Sequence, residues 1–244
     1  MRTISKKKRY KLGFSMGNAK LIFTCIFNLP CGITCPGAGQ CKVVVGDDGK
    51  IKSKGTNLEY RCYAGQKEMY ENVRKSKHRN YDALLGLSRA GMRDLLLSEL
   101  PRGVRVRIHE SGDFFSQDYF DAWIDVARAL PEQLFYGYTK SIPYLLNRVA
   151  IMPDNFRIVA SYGGKYDRLI TINKLQSVKV VWSVEEAVKI GLPIDHDDSL
   201  AYTSREDFCH LIHGTQNAGS GAGAAMNKMR RAGINGYRRR AYVA

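Results

Sequence analysis

"GVRVRIHESGDFF" (103–115), running directly into "SQDYFDAWIDVARAL" (116–130), sets the fold. Val104, Val106 and Ile108 alternate with arginines, the period of a half-buried strand. The strand ends in a polar loop of His109, Glu110, Ser111, Gly112 and Asp113. The next segment repeats apolar residues at helical spacing, with Ser116 placed to cap it. One strand, one loop and one helix in series form the unit of a parallel sheet. The same unit recurs downstream. "QLFYGYTK" leads to "IPYLLNRVAIM", with Pro143 in its first turn; "NFRIVASY" leads to "KYDRLITINKL"; "VKVVWSV" leads to "VEEAVKIG", stopped at Gly191. "SLAYTSR" reads as a last strand. Upstream, "AKLIFTCIFNL" (19–29) is a buried strand. "QKEMYENVRKSKHRNYDALLG" and "SRAGMRDLLLSEL" are helices, the second capped by Ser88 and closed by Pro101. The expected fold is α/β, a partial (β/α)6-type barrel of mostly parallel strands. A small hairpin with an Asp-Gly turn is inserted over 43–60. The chain divides into a basic arm (1–18), the barrel (19–205) and a glycine-rich, basic C-terminal segment (206–244).

The 244 residues carry 38 Lys and Arg against 23 Asp and Glu, a net charge of +15. Such an excess attracts polyanions over roughly a Debye length, about 8 Å at physiological salt. The charges cluster in "SKKKRYK" with Lys7 and Lys8, in "VRKSKHR", in "KMRR", and in "GYRRRAY" with Arg238, Arg239 and Arg240. Tyr10, Tyr237 and Tyr242 lie among them. Nucleic acid or a nucleotide is therefore the expected partner, bound in part by those terminal cations. No apolar run of about 18 residues predicts a membrane span. The basic start lacks an apolar segment and cleavage site, so the expected location is the cytoplasm, where thiols stay reduced.

"CGITCPGAGQC" (31–41) and "RCYAG" (61–65) place Cys31, Cys35, Cys41 and Cys62 around the inserted hairpin. In a reducing compartment, close cysteines are metal ligands or reactive thiols more often than disulfides. Four thiolates suit zinc, and three or four suit an iron–sulfur cluster. The spacing forms no pair of CxxC knuckles, and both metals stay open. Cys25 and Cys209 read as core residues.

In α/β folds the working face is the one where strands end. There Asp113 is placed to accept a hydrogen bond from an amine or hydroxyl, and Gly112 to let a ligand approach the backbone. Lys140 can neutralise a phosphate or carboxylate, and His109 can serve as a base. Farther on, His210 and His213 precede glycines 219, 221 and 223, which read either as a phosphate-binding turn or as a linker.

The set "LPCGITCPGAGQC", "RCYAG", "HESGDFFSQDYFDAW" and "FYGYTKS" resembles the phage gene product 88 family over about residues 10–183. The resemblance implies Cys35, Cys41 and Cys62 as the recurring cysteines, with a small residue usual at the place of Cys31. More distantly, the layout is similar to radical S-adenosylmethionine enzymes. Those have a partial barrel, a three-cysteine cluster loop after the first strand, and a glycine-and-acid motif after the second. That likeness implies a [4Fe–4S] cluster on Cys35, Cys41 and Cys62, and S-adenosylmethionine held by Ser111, Gly112 and Asp113. Lys140, His109 and Tyr138 would face the substrate. The spacing departs from that superfamily, with five residues between Cys35 and Cys41 and twenty before Cys62. Two other expectations stand beside it. One is a base-exchange transglycosylase with Asp113 as nucleophile and structural zinc. The other is a non-catalytic nucleic-acid-binding protein stabilised by zinc.

Overall fold

A computed structural model describes residues 11–17, 21–52 and 58–234. Lys7, Lys8, Arg238, Arg239 and Arg240, with their neighbouring tyrosines, lie outside the described residues.

A short antiparallel pair opens the sheet. β1 (Phe14–Met16) lies against β2 (Thr24–Phe27), with Phe14 opposite Phe27. Parallel strands then follow: β5 (Arg105–Ile108), β6 (Phe135–Thr139), β7 (Phe156–Ser161), β8 (Ser177–Val181) and β9 (Phe208–Leu211). The order across the sheet is β1-β2-β5-β6-β7-β8-β9, without reversal. Right-handed crossovers in unreversed order put the helix that directly follows each of β5, β6, β7 and β8 on one face. The inserted hairpin is β3 (Val44–Val45) against β4 (Ile51–Lys52), turning at Asp48 and Gly49, where φ is +72°.

Two helical stretches precede β5. α1 (Ala64–Glu68) and α2 (Glu71–Leu84) replace the single long helix read from the sequence, and α3 (Arg89–Glu99) follows them. Tyr70, in extended conformation, separates the first two. Ser88 Oγ accepts the Gly91 N–H and so caps α3 as expected. α4 (Gln117–Ala129) starts on Ser116, whose Oγ accepts the Tyr119 N–H at 3.2 Å. Its buried face of Tyr119, Phe120, Trp123 and Val126 packs on Val106, Ile108, Phe135 and Phe156 to form the main core. α5 (Ile142–Leu146), α6 (Asp167–Ile172) and α7 (Val184–Ile190) complete the units, the last ending at Gly191 with φ +69°.

Alternation gives the opposite face of the sheet a different character. It carries Tyr136, Val159, Val178 and Phe208, with Arg107, Tyr138 and His210 toward the strand ends. α8 (Leu200–Thr203) packs here, its Tyr202 ring 5.0 Å from that of Tyr136. This corrects the reading of "SLAYTSR" as a strand. Asp195 Oδ2 accepts the Leu200 N–H, and Asp197 Oδ1 the Ser199 N–H, so acidic side chains wind the segment into a helical turn. The last strand is β9, within 206–244. α9 (Gly221–Arg231) follows it, and Met226 and Met229 pack with Leu211 and Val181. Among the described residues no helix is long and apolar enough to cross a membrane.

Candidate functional site

The cysteine loop is assembled by close backbone approaches. Gly32 has φ +72°, and a Cβ there would lie 2.1 Å from Val43 O. A Cβ on Gly37 would lie 1.9 Å from Lys140 O, so the loop lies flat on the end of β6. Lys165 N–H donates to Gly37 O at 3.0 Å, and Ala38 bridges Gly164, fixing the loop to the end of β7 as well. The hairpin closes where Cys62 N–H meets Cys41 O. Beneath the loop, Glu68 is fully buried. Its Oε1 accepts the Cys31 N–H at 2.8 Å and faces Lys77 Nζ at 3.1 Å, an ion pair with almost no solvent.

These constraints bring Cys35, Cys41 and Cys62 to one cavity of about 150 Å³ at the strand-end mouth. His109, Gly112, Asp113, Tyr138 and Lys140 line the same cavity, as do Arg107, His210 and His213. Cys31 does not; it sits in a small apolar cluster with Val43, Val45 and Ala64. Cys25 and Cys209 are buried in strands β2 and β9, as core residues.

Burial pushes the Cys35 thiol well up, and the nearby Asp113 carboxylate and Cys62 add to the shift. Burial raises Cys41 likewise, though Lys140 opposes it, and lifts Cys62 to about 12. A thiolate here is disfavoured by desolvation and by its neighbours, so a cation in the cavity would reverse the balance. Among the described residues no three His, Cys, Asp or Glu side chains are gathered so as to hold a single metal ion. One zinc with Zn–S bonds of about 2.3 Å draws its sulfurs to within about 4 Å of one another. In a cluster each thiolate takes its own iron, a different requirement from gathering three sulfurs on one ion.

The residues expected to meet a ligand are tied into the scaffold. Asp113 Oδ1 accepts from Phe114 N at 2.7 Å and Thr139 Oγ1 at 2.6 Å, and Oδ2 accepts from Lys140 N at 2.9 Å. Its pKa is raised by burial, against the pull of those donors. Lys140 Nζ donates to Ser161 Oγ, Ser161 O and Tyr162 O. Three acceptors for three protons make it a brace between β6 and β7. Ser111 faces away from the cavity. Its N–H donates to Asn28 Oδ1, and its Oγ lies 2.9 Å from Glu68 Oε1 and 3.0 Å from Leu29 O. Gly112 has φ +86°, and a Cβ would strike Leu29 Cβ at 2.6 Å, so its missing side chain admits the cysteine loop.

His109 differs from these. It is buried and holds φ +69°, in the left-handed region that a residue with a Cβ seldom occupies. Nε2 stands 2.9 Å from the Tyr119 hydroxyl, while Nδ1 has no hydrogen-bond partner among the described residues. Burial lowers its pKa to about 3, so the ring is neutral.

Sequence reasoning passed over Arg107, which pairs with fully buried Asp198 at 2.5 Å and lies 5.5 Å from the Tyr138 ring. It left His210 and His213 outside the mouth, yet both line it. His213 Nδ1 is 3.1 Å from Leu211 O, and burial lowers its pKa to about 4. The glycine-rich turn is filled from within the chain. Ser220 Oγ and Glu59 Oε1 accept the first amides of α9, from Gly223 and Gly221. Gln216 grips the chain beside Cys62, its Oε1 accepting the Arg61 N–H and its Nε2 donating to Arg61 O.

A family model described as Gene product 88 matches residues 3–233. No curated protein and no solved structure matches.

Proposed function

The chain belongs to the gene product 88 family, and from that premise and the mouth just described we propose that it is an iron–sulfur enzyme of radical S-adenosylmethionine-like layout, acting on a nucleotide or nucleic acid. One observation carries the reading: Cys35, Cys41 and Cys62, separated by five and twenty residues in the chain, meet in one cavity beside Asp113. The unreversed strand order supports a partial barrel around it. Cys35, Cys41 and Cys62 would hold the cluster. When bound, the cluster supplies an electron to S-adenosylmethionine, and the cofactors carry the radical chemistry.

The chain's own residues bind, orient and exclude water. Asp113 fixes the ends of β5 and β6 against each other, and the remaining acceptor capacity of Oδ2 is what would meet a cofactor amine. Ser111 acts one step back, through Glu68 and the underside of the loop. His109 is a neutral imidazole at the edge of the mouth, its ring packed against Phe27, Phe114 and Tyr119, and Lys140 keeps β6 and β7 in register. Tyr138, His210 and His213 give the mouth a ring lining suited to stacking a base, with Arg107 held beside it by Asp198. Three donors on the Asp113 carboxylate argue against its service as a base-exchange nucleophile. Anaerobic purification with iron and sulfide analysis tests the reading. A brown protein with several irons per chain is expected; a colourless protein with one zinc overturns it.

A further inference from the structure

A second, larger cavity of about 560 Å³ adjoins the cysteine mouth, sharing Tyr60 and Val180 with it. Its origin is topological. β7 and β8 keep only two register pairs, Ala160 with Ser177 and Ser161 with Val178. The chain then turns off at Gly163, φ +89°, while β8 runs on toward Trp182. The gap is lined by Tyr60, Tyr162 and Trp182, with exposed Arg168 and Lys179 at its sides. The acid in the gap, Asp167, is already engaged by the Gly163 and Gly164 N–H groups at 2.9 and 2.8 Å. Positive charge and aromatic surface therefore remain to meet a ligand.

We propose that this groove binds a single-stranded nucleic-acid segment, so that the mouth acts on a base within a strand rather than on a free nucleotide. The inference rests on the nucleotide reading above and names its substrate class. Volume is the first argument. The mouth alone, about 150 Å³, lies below the roughly 300–1,000 Å³ of small-molecule sites, whereas the groove falls within that range. A ligand reaching Asp113 extends into the groove. Chemistry is the second. Three aromatic side chains offer faces for unstacked bases, two cations meet phosphates, and Gln40 and Thr171 are the few side chains able to read base edges. Such a lining tolerates any sequence and requires a base whose face is free, which a duplex does not present.

The chain has two tryptophans, and Trp123 is 0% exposed, so fluorescence quenching by an added strand reports on Trp182. Oligo-dT is expected to quench the full-length protein. Trp182→Ala should weaken oligo-dT binding by about 5- to 150-fold, the equivalent of one stacked base at ~1–3 kcal/mol. Arg168→Ala with Lys179→Ala should flatten the log–log salt slope by about 1.4, two phosphates on a single strand. Unchanged affinity and slope in both variants, with binding retained, would place the strand on the terminal cations and overturn the groove. Thymidine monophosphate quenching as tightly as oligo-dT would overturn the strand inference and leave the nucleotide reading standing. Quenching by oligo-dT in protein that holds no iron supports the groove and removes the cluster.

Discussion

The backbone N–H of Cys62 donates to the carbonyl of Cys41 at 3.1 Å, so two thiols with twenty residues between them in the chain stand as backbone neighbours. The intervening hairpin is a detour that returns to its starting point, which makes a three-thiol site compatible with this spacing.

Replacing Cys35, Cys41 or Cys62 with serine should each reduce reconstituted iron and sulfide to background. Cys25→Ser and Cys209→Ser should retain both, since those thiols lie in strands. Cys31→Ser should keep most of the iron, because its side chain packs with Val43 and Ala64 and does not line the cavity. Full iron in Cys62→Ser would exclude the insertion-spanning site.

Glu68→Gln leaves the Lys77 ammonium buried without its partner charge. A loss of about 3–5 kcal/mol in urea unfolding is expected. Glu68→Leu combined with Lys77→Met should recover part of that loss. The double variant equalling the single one would show that the pair's burial is not what matters.

Gly37→Ala and Gly91→Ala should have opposite signs. The first Cβ would stand 1.9 Å from the Lys140 carbonyl, a backbone atom that cannot yield without lifting the cysteine loop. A cost of about 1–3 kcal/mol and reduced iron are expected. The second, inside α3, meets nothing closer than 3.5 Å and should gain up to about 1 kcal/mol. Thermal melts and iron content read both.

Acid should destabilise the protein before its carboxylates titrate. His109 and His213 have folded pKa values lowered from 6.5 to about 3 and about 4, mainly by burial. Below pH 6.5 the unfolded chain takes protons that the folded chain refuses, so the stability present above that pH falls as pH drops. Each imidazole contributes at most about 1.4 kcal/mol per pH unit. His109→Asn, a residue that tolerates left-handed backbone, should reduce the slope between pH 6 and 5. An unchanged slope would mean that His109 is protonated in the fold.

Elements whose signals are local were legible. Ser88, Ser116, Gly191 and the Asp48–Gly49 turn act within a few residues of themselves, and the chain does at each what the sequence implies. The strand-end face was legible too, because alternation fixes which loops share an end. Long-range pairings were not. An acid and a lysine nine residues apart give no sign of meeting in the interior, so Glu68 and Lys77 went unnoticed. Asp113 was read as open to a ligand because its donors, Thr139 and Lys140, lie on another strand. β9, four residues long, was hidden by the alternation of "SLAYTSR", which the carboxylates of Asp195 and Asp197 turn into a helix.

The clasp between Gln216 and Arg61 bears on the order of synthesis. Chain growth delivers Cys35, Cys41 and Cys62 early, but the side chain that fixes the strand beside Cys62 is added 155 residues after Arg61. Until then the third thiol is tethered without being seated. On the proposed reading, a nascent chain carrying the whole cysteine loop would be a poor acceptor of the cluster until Gln216 has been added.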